Sequence, residues 1–234
     1  MMNYDTPLLS GVLTRRYKRF LADVVLDSGE AITAHCPNTG SMLGCADPGM
    51  RVWLSHSDRP GRKYAHTWEQ VAVAGDLRVG IHTGRTNRLV AEVLDDPELM
   101  PETAGHGPAR AEVTVPDRPM RADFRLEGDG RFIEVKNVTA AVESGVAVFP
   151  DAVSSRGVRH LEVLQSLAEE GLPAMLVFCA QRSDVRVIRP ADQIDPAYGQ
   201  ALRRAMAAGV TVIGLGACPG DKGIHIDRRV EVET

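Results

Sequence analysis

Near residue 86 the chain changes its hydrophobic period, and the change divides it into two architectures. Residues 10 to 82 run through short segments rich in Val, Ile, Leu and Thr: VLTRRYKRFLADVVL, AITAHC, RVWLSHS, HTWEQVAVA and LRVGIHT. Gly, Pro, Asn and Asp separate them at DSGE, PNTG, ADPG and DRPGRK. Such segments read as strands, because β-branched side chains suit the pleat while the punctuating residues accept turn dihedrals. About five strands in a small barrel or sandwich are predicted; an OB-fold fits, and an SH3-like barrel fits nearly as well.

After residue 86 apolar residues recur at helical spacing, as Leu89, Val90, Val93 and Leu94 do in NRLVAEVLDDPEL. A long connection containing PETAGHGPA and two strands, roughly 120 to 127 and 131 to 138, come next. In SSRGVRHLEVLQSLAEEG, Val158, Leu161, Val163, Leu164 and Leu167 form one face, and Gly171 supplies a stop. AMLVFCA reads as a buried strand. DPAYGQALRRAMAAG reads as a helix capped by Asp195, with Pro196 at its first position and Gly209 at its end, and VTVIGLG reads as another buried strand. This alternation predicts a mixed-sheet α/β domain with helices on both faces. The expected division is a β-barrel domain at 1–85 and an α/β domain at 86–234.

Bulk properties narrow the function classes. A chain of 234 residues buries enough surface to fold without disulfides. Cys36, Cys45, Cys179 and Cys218 form no C-x-x-C pair, which fits free thiols in a reducing cytoplasm. MMNYDTPLLSG has no basic region followed by an apolar one, and the apolar runs are too short to span a bilayer, so a cytoplasmic protein without a membrane partner is expected. Net charge is −4, but residues 1–90 carry 11 Lys+Arg against 8 Asp+Glu (+3), and the remainder 16 against 23 (−7). Basic residues cluster with aromatic ones at Arg15, Arg16, Tyr17, Lys18 and Arg19 and again around Arg62 and Lys63. That composition suits a nucleic-acid groove that joins phosphate contacts to base stacking, and it equally describes a solvated basic face. No G-x-G-x-x-G, H-x-x-x-H or G-x-S-x-G pattern supports a dinucleotide, zinc or serine-nucleophile site.

The chemistry concentrates in RADFRLEGDGRFIEVKNVT. Side chains alternate along a strand, so Phe132, Glu134, Lys136 and Val138 share one face and Arg131, Ile133 and Val135 the other. If the EGDG turn closes an antiparallel pair, Asp123 comes beside Glu134. Two carboxylates are hard oxygen ligands for Mg²⁺ or Mn²⁺, which would acidify a bound water and neutralise a phosphate, while Lys136 would hold or deprotonate that water. On the helix that follows, His160 can reach such a site, and Arg156 adds a cation and a helix N-terminus suited to an anion. Pro150-Asp151 follows the Glu-x-Lys triplet and is read as the loop entering that helix.

An Asp followed on the next strand by Glu-x-Lys is similar to the PD-(D/E)XK nuclease superfamily, whose core is a helix, a three-stranded meander, a crossing helix and a further strand. In proteins of that type a backbone carbonyl, here that of Val135, commonly completes the metal coordination. More specifically, RYKRFLADVVL, HCPNTGSM, PGMRVWLSHS, RKYAHTWE, RADF, IEVKNVT, FPDAV and RGVRHLEVL occur in order, and together they resemble the sugar fermentation stimulation protein A family over about residues 10 to 230. The resemblance implies an N-terminal OB-fold, a C-terminal nuclease-like domain, nucleic-acid binding and a role in regulating sugar utilisation. It also favours Asn38 and Thr39, in HCPNTGSM, as facing either nucleic acid or the domain junction. Ser154-Ser155, Arg159 and the extra residues of AEVTVPDRPMRADF depart from the family's usual pattern, and the last of these leaves a role for Glu112 open; whether Asp151 caps the following helix or faces the site is open separately. The expectation is a metal-dependent nuclease acting on DNA or RNA. A DNA-binding regulator that keeps the nuclease framework without cleaving is the alternative, and a small-molecule enzyme or sensor of sugar metabolism is a third reading.

Overall fold

The computed structural model describes residues 2–143 and 145–234. After β1 (Met2–Asn3), the barrel strands are β2 (Leu9–Tyr17), β3 (Leu21–Leu26), β4 (Ala31–His35), β5 (Arg51–His56) and β6 (His66–Val73). β3 pairs with β2 and β4, β5 pairs with β2 and β6, and a parallel contact at His35↔Thr67 joins β4 to β6. The ring order β2-β3-β4-β6-β5-β2 closes a five-stranded OB-like barrel. Its interior holds Leu13, Val24, Ala34, Val52, Leu54, Trp68 and Val71.

The barrel reaches five strands by a route different from the one predicted. VLTRRYKRFLADVVL is two strands joined by a loop at 18–20, while β7 (Leu77–Gly80) is appended to β6 outside the ring. Lys18 and Arg19 take left-handed backbone angles there, φ +50° and +66°. A loop built without Gly or Asn leaves no turn signal in the sequence, so the segment read as continuous.

The second unit comprises α1 (Thr83–Ala91), β8 (Ala109–Thr114), β9 (Arg121–Leu126), β10 (Phe132–Val138), β11 (Ala141–Glu143), β12 (Val146–Phe149), α2 (Ser155–Glu169), β13 (Ala174–Ala180), β14 (Val187–Pro190), α3 (Pro196–Ala207), β15 (Thr211–Pro219) and β16 (Gly223–Val232). Its mixed sheet runs β11-β12-β14-β16-β15-β13-β10-β9-β8. β8, β9 and β10 form the meander, α2 crosses, and β13 returns parallel to β10. Two boundary details differ from the expected division. β1 pairs with β16, so the chain's start belongs to this sheet, and α1 begins at Thr83, so a cut after residue 85 falls inside the helix.

The predicted faces are those observed. Phe132 and Val138 pack under α2 and α3 with Leu161, Leu164, Leu167 and Tyr198, while Ile133 and Val135 pack with α1 residues Leu89 and Val90. Asp195 ties the two helix starts together: Oδ1 accepts from Tyr198 N (3.0 Å) to cap α3, and Oδ2 accepts from Ser154 N (2.8 Å) just ahead of α2. Ser154 Oγ then caps α2 by accepting from Gly157 N at 3.1 Å. This bracing fixes the turn of α2 that carries His160 over β10. Among the described residues no helix is long and apolar enough to cross a membrane.

Candidate active site and nucleic-acid surface

Phe132↔Arg125 and Ile133↔Phe124 pair β10 with β9, so Asp123 stands opposite Glu134. Beyond that point the Asp123 side chain takes over from the backbone ladder, its Oδ2 accepting from Val135 N at 2.7 Å. An extended residue presents its N–H and C=O to the same edge, so the Val135 carbonyl turns to the Asp123 side as well. Asp123 Oδ1 accepts from Asn87 Nδ2 on α1 at 2.7 Å.

Glu134 is buried, 4% exposed, and its Oε1 accepts from both Lys136 Nζ and His160 Nδ1, the latter at 2.6 Å. Among the described residues its Oε2 is buried without a partner. A buried carboxylate oxygen left unpaired costs free energy that a cation or a donor would recover. Arg156 Nε donates to His160 Nε2 at 3.2 Å, which leaves the ring proton on Nδ1, facing Glu134. The electrostatics separate the two acids. Burial and the neighbouring Glu134 push Asp123 up to about 6. Burial also works to raise Glu134, but the hydrogen bond from His160 and the adjacent Lys136 outweigh it, and its carboxyl titrates below the usual range.

Glu134, Lys136 and His160 are therefore joined by hydrogen bonds on the α2 face of β10, and Asp123 stands beside them at the β9 edge, held by Val135 N and Asn87 and close enough to feel the charges of Glu134 and Lys136. Asp123 and Glu134 offer hard oxygens, an orphaned buried one among them, which is a donor set that fits Mg²⁺ or Mn²⁺. Sequence reasoning missed Asn87, whose only signal is its place on the first turns of a helix packed against β10. It also missed a basic groove of about 500 Å³ that opens onto His160 and is lined by Arg118, Arg121, Arg156 and Arg159. Arg118 is paired with Glu170 and Arg121 with Glu112, whereas Arg156 and Arg159 are exposed.

The barrel's basic residues divide into internal and outward groups. Arg16 spends its guanidinium on the carbonyls of Arg19, Asn38, Gly40 and Ser41, an internal role in place of the outward one expected from the cluster. Arg15 pairs with Asp23 at 2.8 Å and covers the Tyr17 ring at 4.7 Å. Arg19 donates to the Thr39 carbonyl at 3.0 Å, and Lys18 and Phe20 stand exposed on the same loop. Arg62 donates to Thr67 Oγ1, and Lys63 lies over Tyr64.

The loop carrying Asn38 and Thr39 lies at the domain junction. Asn38 is buried, its Oδ1 accepting from Gly40 N, while Thr39 is exposed. Asp151 joins the loop from the second domain: its Oδ2 accepts from Met42 N at 2.9 Å, and its carbonyl accepts from Ser41 Oγ at 2.6 Å. A polar cleft of about 40 Å³ lined by Asn38, Thr83, Asn137, Thr139, Phe149 and Asp151 marks this junction.

The two-domain fold and the sequence are shared with known proteins. Residues 84–220 match the model of the sugar fermentation stimulation protein RE domain, and residues 14–81 that of the SfsA N-terminal OB domain. The chain is 58% identical to a sugar fermentation stimulation protein homolog of Alkalilimnicola ehrlichii over 99% of each chain, and 57% identical to one of Halorhodospira halophila over 97% of this chain and 95% of the other. Among solved structures it is similar to Pyrococcus furiosus SfsA in complex with Ca²⁺, with a TM-score of 0.87 and 25% identity across 100% of both chains. The chain belongs to the sugar fermentation stimulation protein family.

Proposed function

We propose that this protein hydrolyses phosphodiester bonds of nucleic acid, DNA before RNA, with the help of a divalent cation. The observation that carries the reading is the buried Oε2 of Glu134, unpartnered among the described residues, on the strand that the Asp123 carboxylate joins through Val135 N. The solved relative described as a complex with Ca²⁺ adds support, since Ca²⁺ and Mg²⁺ both take oxygen ligands. Asp123, Glu134 and the Val135 carbonyl would hold Mg²⁺ or Mn²⁺, which supplies Lewis-acid stabilisation of phosphate charge and acidifies water. Lys136 would orient the attacking water and take part in removing its proton. His160 holds Glu134 in place and is itself held by Arg156. Arg156 and Arg159 would bind backbone phosphates on the approach to the site. On the barrel, Lys18 and Arg19 would contact phosphates and Phe20 would stack a base, with Arg62 and Lys63 adding charge.

The deciding experiment incubates purified protein with labelled single-stranded DNA, double-stranded DNA and RNA in Mg²⁺ or Mn²⁺, beside Lys136→Ala and Asp123→Asn. Cleavage by the parent chain alone supports the reading. Equal cleavage by Lys136→Ala overturns the assignment of the site. Binding in EDTA, with no cleavage of any substrate in either metal, would favour a non-cleaving nucleic-acid-binding regulator built on a nuclease framework.

A further inference from the structure

We infer a second metal site, for a thiophilic ion such as Zn²⁺, formed by Cys218, His225 and Asp227 on the hairpin of β15 and β16. The Cys218 sulfur, a His225 ring nitrogen and an Asp227 carboxylate oxygen lie within 4.8 Å of one another. Tetrahedral zinc, with bonds of roughly 2.0 to 2.3 Å, sets its ligand atoms roughly 3.3 to 3.8 Å apart, so small side-chain rotations bring the three into range.

The backbone is shaped to gather them. Cys218 and His225 are cross-strand partners, and the register then slips between Gly216 and Ala217, so that Asp227 is the extra residue of a β-bulge. Alternation along β16 already puts Asp227 on the face of His225 and Cys218, and the bulge bends the strand locally there, with Asp227 Oδ2 only 2.9 Å from Cys218 Sγ. Gly216 makes room for the supporting partner, because a Cβ there would come within 2.6 Å of Arg228 Cζ. Arg228 is anchored on the Arg182 carbonyl at 2.7 Å and donates to Asp227 Oδ1 at 2.6 Å, leaving Oδ2 turned toward the sulfur. Hydrogen-bonded support of this kind orients metal-binding carboxylates.

The turn between the two strands is held rigidly as well. Gln70 donates to the Gly220 carbonyl, Tyr4 N to the Lys222 carbonyl, and Arg78 pairs with Asp221. Cys218 and His225 are half-buried and Asp227 is exposed, which leaves the site open to an ion and to a fourth ligand from water. Soft sulfur with imidazole selects Zn²⁺ over the Mg²⁺ suited to Asp123 and Glu134. On binding, the thiol gives its proton to solvent and the thiolate becomes the ligand.

Titration of the full chain with Co²⁺, followed by optical absorption, tests the site independently of any nuclease activity. The expected result is a near-ultraviolet thiolate-to-cobalt charge-transfer band that Zn²⁺ abolishes, Cys218→Ser removes, and Asp123→Asn leaves intact. Asp227→Asn should weaken Co²⁺ binding on the order of tenfold or more. Cys218 is half-exposed and serine nearly isosteric, and circular dichroism establishes that the variant is folded. Absence of the band in the parent chain, or its survival in folded Cys218→Ser, overturns the inference. Cys36, Cys45 and Cys179 are buried and give no competing signal in the folded protein.

Discussion

His160 Nδ1 and Glu134 Oε1 lie 2.6 Å apart, joining a helix to the strand it crosses. Glu134 is thereby held from two sides, by His160 above and by Lys136 two residues along its own strand. His160→Ala would leave a buried carboxylate with one donor fewer. The expected outcome is a loss of about 1–3 kcal/mol in stability, read from chemical denaturation. If the site cleaves nucleic acid as proposed, turnover of the folded variant should fall by roughly 10²-fold, because a small misplacement of Glu134 is costly to the reacting geometry. His160→Gln, which can still donate to Oε1, should recover most of the stability; failure to do so would show that ring packing, not the hydrogen bond, holds Glu134.

The two acids respond to pH in opposite directions. Asp123 is raised to about 6 by burial and Glu134, so between its unfolded value near 4 and 6 the folded state binds the extra proton. Its contribution therefore favours folding as pH falls through 6 and is lost as pH rises through 6. Glu134 is depressed, so its contribution is present above the unfolded glutamate range and disappears as pH falls below it. If Asp123 is a ligand of the proposed divalent cation, that cation needs its carboxylate, and affinity should drop about tenfold per pH unit below 6. Calorimetric Mn²⁺ titrations from pH 5 to 7.5 would read this, and a flat profile would remove Asp123 from the ligand set.

The carboxylate of Asp151 fastens the second domain to the barrel through Met42 N. Asp151→Ala removes that charged acceptor and strands a donor at the junction, while the Ser41 contact to the backbone carbonyl survives. A loss of about 1.5–3 kcal/mol is expected. Amide exchange should locate it, with protection falling in residues 38–42 and remaining unchanged in β10 and β13. Uniform loss of protection would mean that the carboxylate supports the whole fold.

The hairpin was legible because period-two alternation puts Glu134 with Lys136 and the EGDG turn brings Asp123 opposite; helical spacing likewise marked the apolar face of α2 and Leu89 and Val90 of α1, although α1 ends at Ala91 and Val93 and Leu94 lie in the turns after it. The strand division at Lys18 and Arg19 was hidden because their left-handed turn uses side chains that usually avoid it. The pairing of β1 with β16 joins the two ends of the chain, and local pattern carries no information on so distant a partner. Asn87 and the arginine groove were hidden for the same reason: only the tertiary fold brings α1 to β9, or Arg118 and Arg121 to the start of α2. Arg16 was misleading in the other direction, since its sequence neighbours suggested an outward cluster while three of its four carbonyl partners lie in a loop more than twenty residues away.

Arg159 separates a substrate groove from a merely solvated helix face. It is exposed and lines the same groove as His160, whereas Arg16 is consumed by backbone carbonyls. If nucleic acid runs through this groove, Arg159→Glu removes one phosphate contact and adds repulsion, while the fold loses little because the side chain is exposed. Binding should weaken by about tenfold at moderate salt, and the slope of log affinity against log salt should fall by about one. Arg16→Ala should behave differently: it lowers the melting temperature by freeing the 38–41 loop, and leaves the salt slope of the folded protein unchanged. Filter binding in EDTA across a salt series, with both variants beside the parent chain, measures these effects without interference from cleavage. An unchanged slope in Arg159→Glu would move the phosphate path off this groove and back to the barrel loop of Lys18, Arg19 and Phe20.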